Sequence, residues 1–143
     1  MTFDSIPPVS LLAGLQLTET IELEYDWVFV FAGGANAGGV SIVAGCHWRL
    51  VDGNRLIVTD QDNGHWFGYG KPVDAAAVVQ LELNDTSVSR VEFSQVSDLV
   101  LWFTNGHALQ VLVSSAGYEN WNVYGPDNSH TFAIGGELSR QRS

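Results

Sequence analysis

The chain carries one cysteine, Cys46, and one lysine, Lys71, and both scarcities exclude classes of function. A single cysteine cannot build an internal disulfide framework and fits a reducing compartment. Six bases face sixteen acids, for a formal net charge of −10, and two of the bases, Arg140 and Arg142, lie in the last four residues. Nucleic-acid binding needs a basic face to neutralise phosphates, so none is expected. An anionic membrane surface is disfavoured for the same reason. No run approaches the roughly 18 apolar residues of a membrane span. The stretch MTFDSIPPVSLLAGLQL also lacks the basic segment of a secretory signal. A cytoplasmic location is therefore the expectation. The electrostatic complement of such a chain is a basic protein partner.

What is present points to β structure. The 143 residues are 45% apolar, enough for one domain over 1–143 with a real core. Residues 139–143 read as a frayed tail. Fifteen glycines and recurrent Asp-Gly and Asn-Gly pairs mark tight turns. In TETIELEYDWVFVF, Ile21, Leu23, Tyr25 and Trp27 alternate with Thr20, Glu22, Glu24 and Asp26, the period of a half-buried strand. AGGANAGGVSIVAG reads as a flexible loop followed by a short strand, and it lacks phosphate-loop spacing. HWRLVDGNRLIVT and LVLWFTNGHALQVLV read as hairpins with two-residue type I′ turns at Asp52-Gly53 and Asn105-Gly106. Between them, Asp74 is the expected N-cap of the one helix, near 74–83, with Val78, Leu81, Val79 and Leu83 as its buried stripe. TSVSRVEFSQ and YENWNVYG read as further strands. The expected fold is mainly β (α+β): an antiparallel sheet curled as a barrel or split as a sandwich, with the helix over an open end or face.

Two groups of residues are candidates for function. Glu22, Glu24 and Asp26 fall on one face of the expected strand, about 7 Å apart, and form a candidate docking surface for a basic partner. Asp60, Asp62, His65, Tyr118 and Trp121 come from TDQDNGHWFGYGKP and SAGYENWNVYG, and would line a barrel mouth if a small-ligand or catalytic pocket exists. An EF-hand is excluded in the first stretch. Counted from Asp60, the glycine is fifth rather than sixth, and Lys71 stands where the bidentate glutamate belongs. His47, His65, His107 and His130 have no close ligand spacing, so no metal or other cofactor is expected. Turn chemistry plus aromatic packing accounts for these loops without any catalytic role. Cys46 beside Trp48 reads as a small core residue.

CHWRLVDGNRLIVTDQDNGHWFGYGKPVDAAAVVQL, then DLVLWFTNGHALQV, GYENWNVYGPDN and GGEL, resembles a broad bacterial family of uncharacterised domains. The ordered motifs are WRL, D-x-G-H with FG, P-V-D-A, D-L-x-L-x-F, GYE-x-W, GP and GGEL, over about residues 46–138. The resemblance implies no activity and no catalytic residues. In size and acidity the chain also looks similar to the immunity proteins of bacterial toxin systems. The leading expectation is a non-catalytic, acidic protein-binding domain, in its specific form an immunity protein against a basic toxin. A ligand binder or enzyme with a barrel-mouth pocket is the first alternative. A self-associating module, such as a homodimer formed through a free β edge, is the second.

Overall fold

The structure, a computed structural model, describes residues 8–33, 36–134 and 137–142. The described residues form two antiparallel sheets and one α-helix. The first sheet has the order β1 (Gln16–Glu22), β2 (Trp27–Gly33), β3 (Asn36–Ala44), β9 (Glu119–Tyr124), β10 (Ser129–Ile134) and β11 (Glu137–Arg142). The second has the order β5 (Arg55–Thr59), β4 (His47–Asp52), β8 (His107–Leu112), β7 (Leu99–Phe103) and β6 (Val88–Phe93). Neither closes on itself, which overturns the barrel alternative: β1 and β11 are the edges of one sheet, β5 and β6 of the other.

Alternation along the strands turns Phe29, Phe31, Ile42, Trp48, Leu50, Leu101, Leu109, Trp121 and Val123 into a single shared core. Rings meet across the two sheets: Phe29 and Trp48 edge-on at 5.3 Å, Phe31 and Phe103 stacked at 6.4 Å, Phe93 and Trp121 stacked at 5.9 Å. Each such pair adds about 0.5–1.5 kcal/mol beyond its burial. In β6 the inward residues Val88, Val91 and Phe93 are unevenly spaced because the register shifts between Val88 and Arg90. The N-terminal segment closes one end. Val9, Leu12 and Leu15 are buried, and the Val88 backbone accepts from Gly14 N and donates to Leu15 O.

Helix α1 (Ala75–Glu82) begins where the sequence places it, with Asp74 Oδ1 accepting from Ala77 N at 3.1 Å. It packs against β1 and β5, the two edges that the sheets leave open on one side. Gln80 Oε1 accepts from Thr20 N of β1, and Asn105 Nδ2 donates to Glu82 O at the helix C-terminus. Its buried residues are Ala75 and Val79, with Leu83 at the C-cap, while Leu81 is three-quarters exposed. Four-residue spacing puts 75, 79 and 83 on one face, and 81 falls on the opposite one.

Several expectations need correction. TETIELEYDWVFVF is a hairpin, β1 and β2, with a turn over 23–26 closed by Leu23 N donating to Asp26 O. Antiparallel partners here pair even with odd residues, Thr20 with Phe29, so the inward parity flips across the turn. Thr20 is therefore buried while Leu23 and Tyr25 are exposed. The glycine-rich stretch belongs largely to β3 rather than a loop. At Gly39 a Cβ would lie 2.9 Å from Phe31 O, so only glycine lets the two backbones approach. Residues 139–142 lie in β11 rather than in a frayed tail.

Neither hairpin turn is type I′. In the first, Gly53 and Asn54 are the central residues, and only Gly53 has positive φ, +59°. In the second, the loop is Thr104-Asn105-Gly106, with Gly106 N donating to Phe103 O and φ +87° at Gly106 alone. That is the three-residue loop ending in a left-handed residue. A Cβ at Gly106 would meet nothing within 4 Å, so the cost of substitution there is conformational. Gly106→Val is expected to lower stability by roughly 1 kcal/mol or more, because a β-branched residue resists positive φ. Chemical denaturation of both proteins checks this, and an unchanged midpoint would refute the left-handed assignment.

Candidate functional site

Strand register brings the loops of interest to one end of the molecule. In the first sheet Glu22 pairs with Trp27, Trp27 with Ala44 and Ala44 with Trp121. In the second, His47 pairs with Leu112, Arg49 with Thr59, Val111 with Leu99 and Leu99 with Phe93. Only Gly45 and Cys46 separate β3 from β4, so these strand ends lie together. The segments 22–26, 45–46, 60–74, 94–98 and 113–119 therefore share this loop end. Side chains and backbone knit them together. Asn63 Nδ2 donates to Glu22 Oε2 at 2.7 Å, Gly45 N to Asn120 O at 2.9 Å and Trp121 Nε1 to Ser97 O at 2.8 Å. Val113 N donates to Asp98 Oδ1.

Both sequence-derived candidate groups come to this end, but in neither expected arrangement. Glu22 ends β1, Glu24 sits in the exposed turn, and Asp26 leads into β2, so they share no strand face. Asp60 Oδ2 lies 2.8 Å from His47 Nδ1, and Asp60 Oδ1 accepts from Trp48 N. Asp62 and Thr59 form a reciprocal capping box over the 3-10 turn Asp60–Asp62. Both carboxylates are therefore spent on turn construction. Trp121 is fully buried, with its indole N–H satisfied, and is unavailable as a stacking platform. Tyr118 is exposed on the loop that follows β8. Asp60, Asp62, His65, Tyr118 and Trp121 thus line no common pocket. Among the described residues no group of three or more His, Cys, Asp or Glu is placed to hold a metal.

Sequence reading missed the most distinctive feature of the opening stretch, the conformation of residues 64–73. Gly64 N donates to Val73 O and Val73 N to His65 O, both at 2.8 Å, which pinches the loop shut at its base. Asn63 Oδ1 accepts from Ala75 N and anchors that base to α1. Within the loop, Tyr69 N donates to Trp66 O across Phe67-Gly68, both with positive φ, +46° and +81°. Those are the requirements of a type I′ turn, met here with a phenylalanine where asparagine is preferred. Phe67 stacks on His65 at 5.5 Å. Trp66, Phe67 and Tyr69 are each more than half exposed. The signal was present in the sequence as Phe-Gly between aromatics. It reads as packing until the burial is known.

The remaining loops repeat this combination of ring and charge. Among the described residues Tyr25 and Tyr118 are the two most exposed large rings, and Leu23, two residues from Tyr25, and Val96 in the 94–98 loop are exposed as well. Carboxylates from Glu22, Glu24, Asp26, Asp60, Asp62, Asp74, Asp98 and Glu119 stand in the same segments, against the one cation Lys71. A shallow open depression of about 640 Å³ lies between Tyr69, Pro72 and Val73 of the loop and Ala77 and Val78 of α1. Beneath the loops, burial pushes the Cys46 thiol up to about 12, with Asp60, Asp98 and Asp26 adding to the shift. No family model, curated protein or solved structure matches the chain.

Two outcomes follow. Phe67→Asn supplies the preferred Asn-Gly turn and relieves left-handed strain of about 1 kcal/mol, while an exposed ring stack is lost, so stability should hold or rise. A fall in melting temperature would mean that the ring is needed by the fold. Cys46 should resist iodoacetamide at neutral pH until the protein unfolds, because the thiolate is the nucleophile. Its folded value lies above the unfolded one, so the protonated thiol favours the native state. That contribution is complete below the ordinary thiol range and is lost as pH rises towards about 12. Alkylation of the native protein at a free-thiol rate would contradict the burial.

Proposed function

We propose that this chain is a non-catalytic protein-binding domain that docks a basic partner through its loop end. The observation that carries the reading is the braced 64–73 loop, which holds Trp66, Phe67 and Tyr69 exposed at a cost in backbone strain. Strained backbone and exposed aromatics persist where function requires them. Aromatic anchors supply most of the energy of protein interfaces, and charges around them steer association. The negative balance of these loops, eight carboxylates against one lysine, supports a basic partner even though Asp60 and Asp62 also brace the fold. In its specific form the reading is an immunity protein that blocks a basic bacterial toxin, supported by the likeness in size and acidity. Among the described residues no helix is long and apolar enough to cross a membrane, and the lone buried thiol is compatible with a cytoplasmic setting.

The test is affinity capture from the host lysate with the native chain and a Trp66→Ala/Tyr69→Ala variant in parallel, followed by kinetics with the purified partner. A basic protein retained by the native chain and lost from the variant, with the variant's melting temperature unchanged, supports the reading. A partner that binds both equally, or one that is acidic, overturns it. With that partner, changing Glu22, Glu24 and Asp26 to their amides should slow association at least several-fold at low salt and flatten its salt dependence, leaving folding nearly intact. An unchanged rate and salt slope would remove these three side chains from the docking end.

A further inference from the structure

We infer that the loop end selects arginine over lysine, so that the partner's contact surface presents guanidinium groups lying over the exposed rings and pairing with neighbouring carboxylates. The inference rests on the docking reading above and specifies the chemistry of the occupant. Ring and carboxylate alternate here. Tyr25 stands between Glu24 and Asp26 in the exposed turn, and Tyr118 directly precedes Glu119. Trp66 and Tyr69 project from the loop whose base is bonded to Glu22 through Asn63. A lysine ammonium is strongly hydrated and meets a carboxylate as a point charge, and an aromatic face adds little to that. A guanidinium is planar and weakly hydrated, so it can lie flat on a ring while its edge donates to a carboxylate. Interleaved rings and carboxylates therefore favour arginine, whereas carboxylates alone would attract either cation.

Among the described residues there is one formed instance of this arrangement. On the outer side of the second sheet, the Arg90 guanidinium lies 4.8 Å from the centre of the Trp102 ring while its Nε bonds Glu92 at 3.0 Å. Both charged side chains there are about half exposed or more, so the triad forms without deep burial. The rings of the loop end offer the same chemistry to a cation from outside. The Trp66–Tyr69 turn is already fixed by its backbone hydrogen bonds, so little backbone freedom is lost on binding.

The test needs no identified partner. Nona-arginine and nona-lysine, matched in charge and length, are titrated into the full chain at about 0.15 M salt, where long-range attraction is largely screened. Binding is followed by calorimetry and by the indole N–H resonance of Trp66. The expected result is that the arginine peptide binds at least about fivefold tighter, the effect of one or two exposed ring contacts. Trp66→Leu/Tyr69→Leu and Tyr25→Leu/Tyr118→Leu keep apolar area but remove the π faces. At least one pair should abolish the preference while lysine-peptide binding persists. Equal affinities for the native chain overturn the inference and leave the docking reading standing. A preference that survives both variant pairs also overturns it by placing the arginine site elsewhere. Failure of both peptides to bind overturns the inference and the basic-partner reading together.

Discussion

Two residues, Gly45 and Cys46, carry the chain from one sheet to the other, and the placement of every candidate residue depends on that crossing. A connection this short cannot span the length of a strand, so the end of β3 must lie beside the start of β4. Antiparallel pairing then propagates the constraint outward on both sides, until five separate segments share one end. The crossing is itself fixed. Gly45 N donates to Asn120 O, and a Cβ at position 45 would lie 2.9 Å from Asp26 Oδ1. Asn120 is almost fully buried; its side-chain Oδ1 accepts from Ser114 N and Ser115 N, and its Nδ2 donates to Ser115 O and Tyr118 O. One buried asparagine thus ties the Tyr118 loop to the crossing between the sheets. A buried polar group satisfied this completely adds rigidity and leaves no orphan to be penalised.

The architecture was legible where local chemistry decides it. Asp74 ahead of three alanines specified the helix start, and the apolar runs on either side of Asp52-Gly53 and Asn105-Gly106 specified the pairs β4–β5 and β7–β8. It failed where tertiary pairing decides. The period-two pattern from Thr20 to Trp27 is compatible with one long strand or with two strands and a turn. Sequence alone has no term that separates them, because Glu24 and Tyr25 are as acceptable at a turn tip as in a strand. Gly38-Gly39 read as a loop because glycine is a poor strand former. The close approach to Phe31 O that makes glycine necessary is a property of the pairing. Asn-Gly was read as a two-residue turn, but the register of β7 on β8 leaves three residues in the loop and only Gly106 left-handed.

The candidate site was legible as a list of residues and illegible as an arrangement. Glu22, Asp26, Asp60, Asp62, His65 and Tyr118 do gather at one end, but nothing in their spacing says whether a carboxylate faces solvent or closes a turn. Asp60 and Asp62 are consumed by Trp48 N, His47 and Thr59 N. Glu24, one turn residue away from a strand end, is exposed. The same residue type thus takes a structural role in one loop and is left outward in the next. Trp121 shows the converse. It sits three residues from the exposed Tyr118, Glu119 in between, yet its strand position sends it into the core.

The balance between ring and charge at this end carries a further physical consequence. Exposed Trp, Phe and Tyr on neighbouring loops would ordinarily promote association between copies of the chain. Surrounding carboxylates oppose that, because bringing two such ends together sets like charges against each other in a region being stripped of water. The repulsion costs nothing when the incoming surface is cationic. The same acidic residues therefore act in opposite directions according to the partner, discouraging a second copy of this chain and attracting a basic protein. Strain at Phe67 fits within this scheme. A turn built for stability alone would place asparagine there, whereas phenylalanine adds apolar area to the one surface where the charge pattern makes exposed area selective rather than merely adhesive.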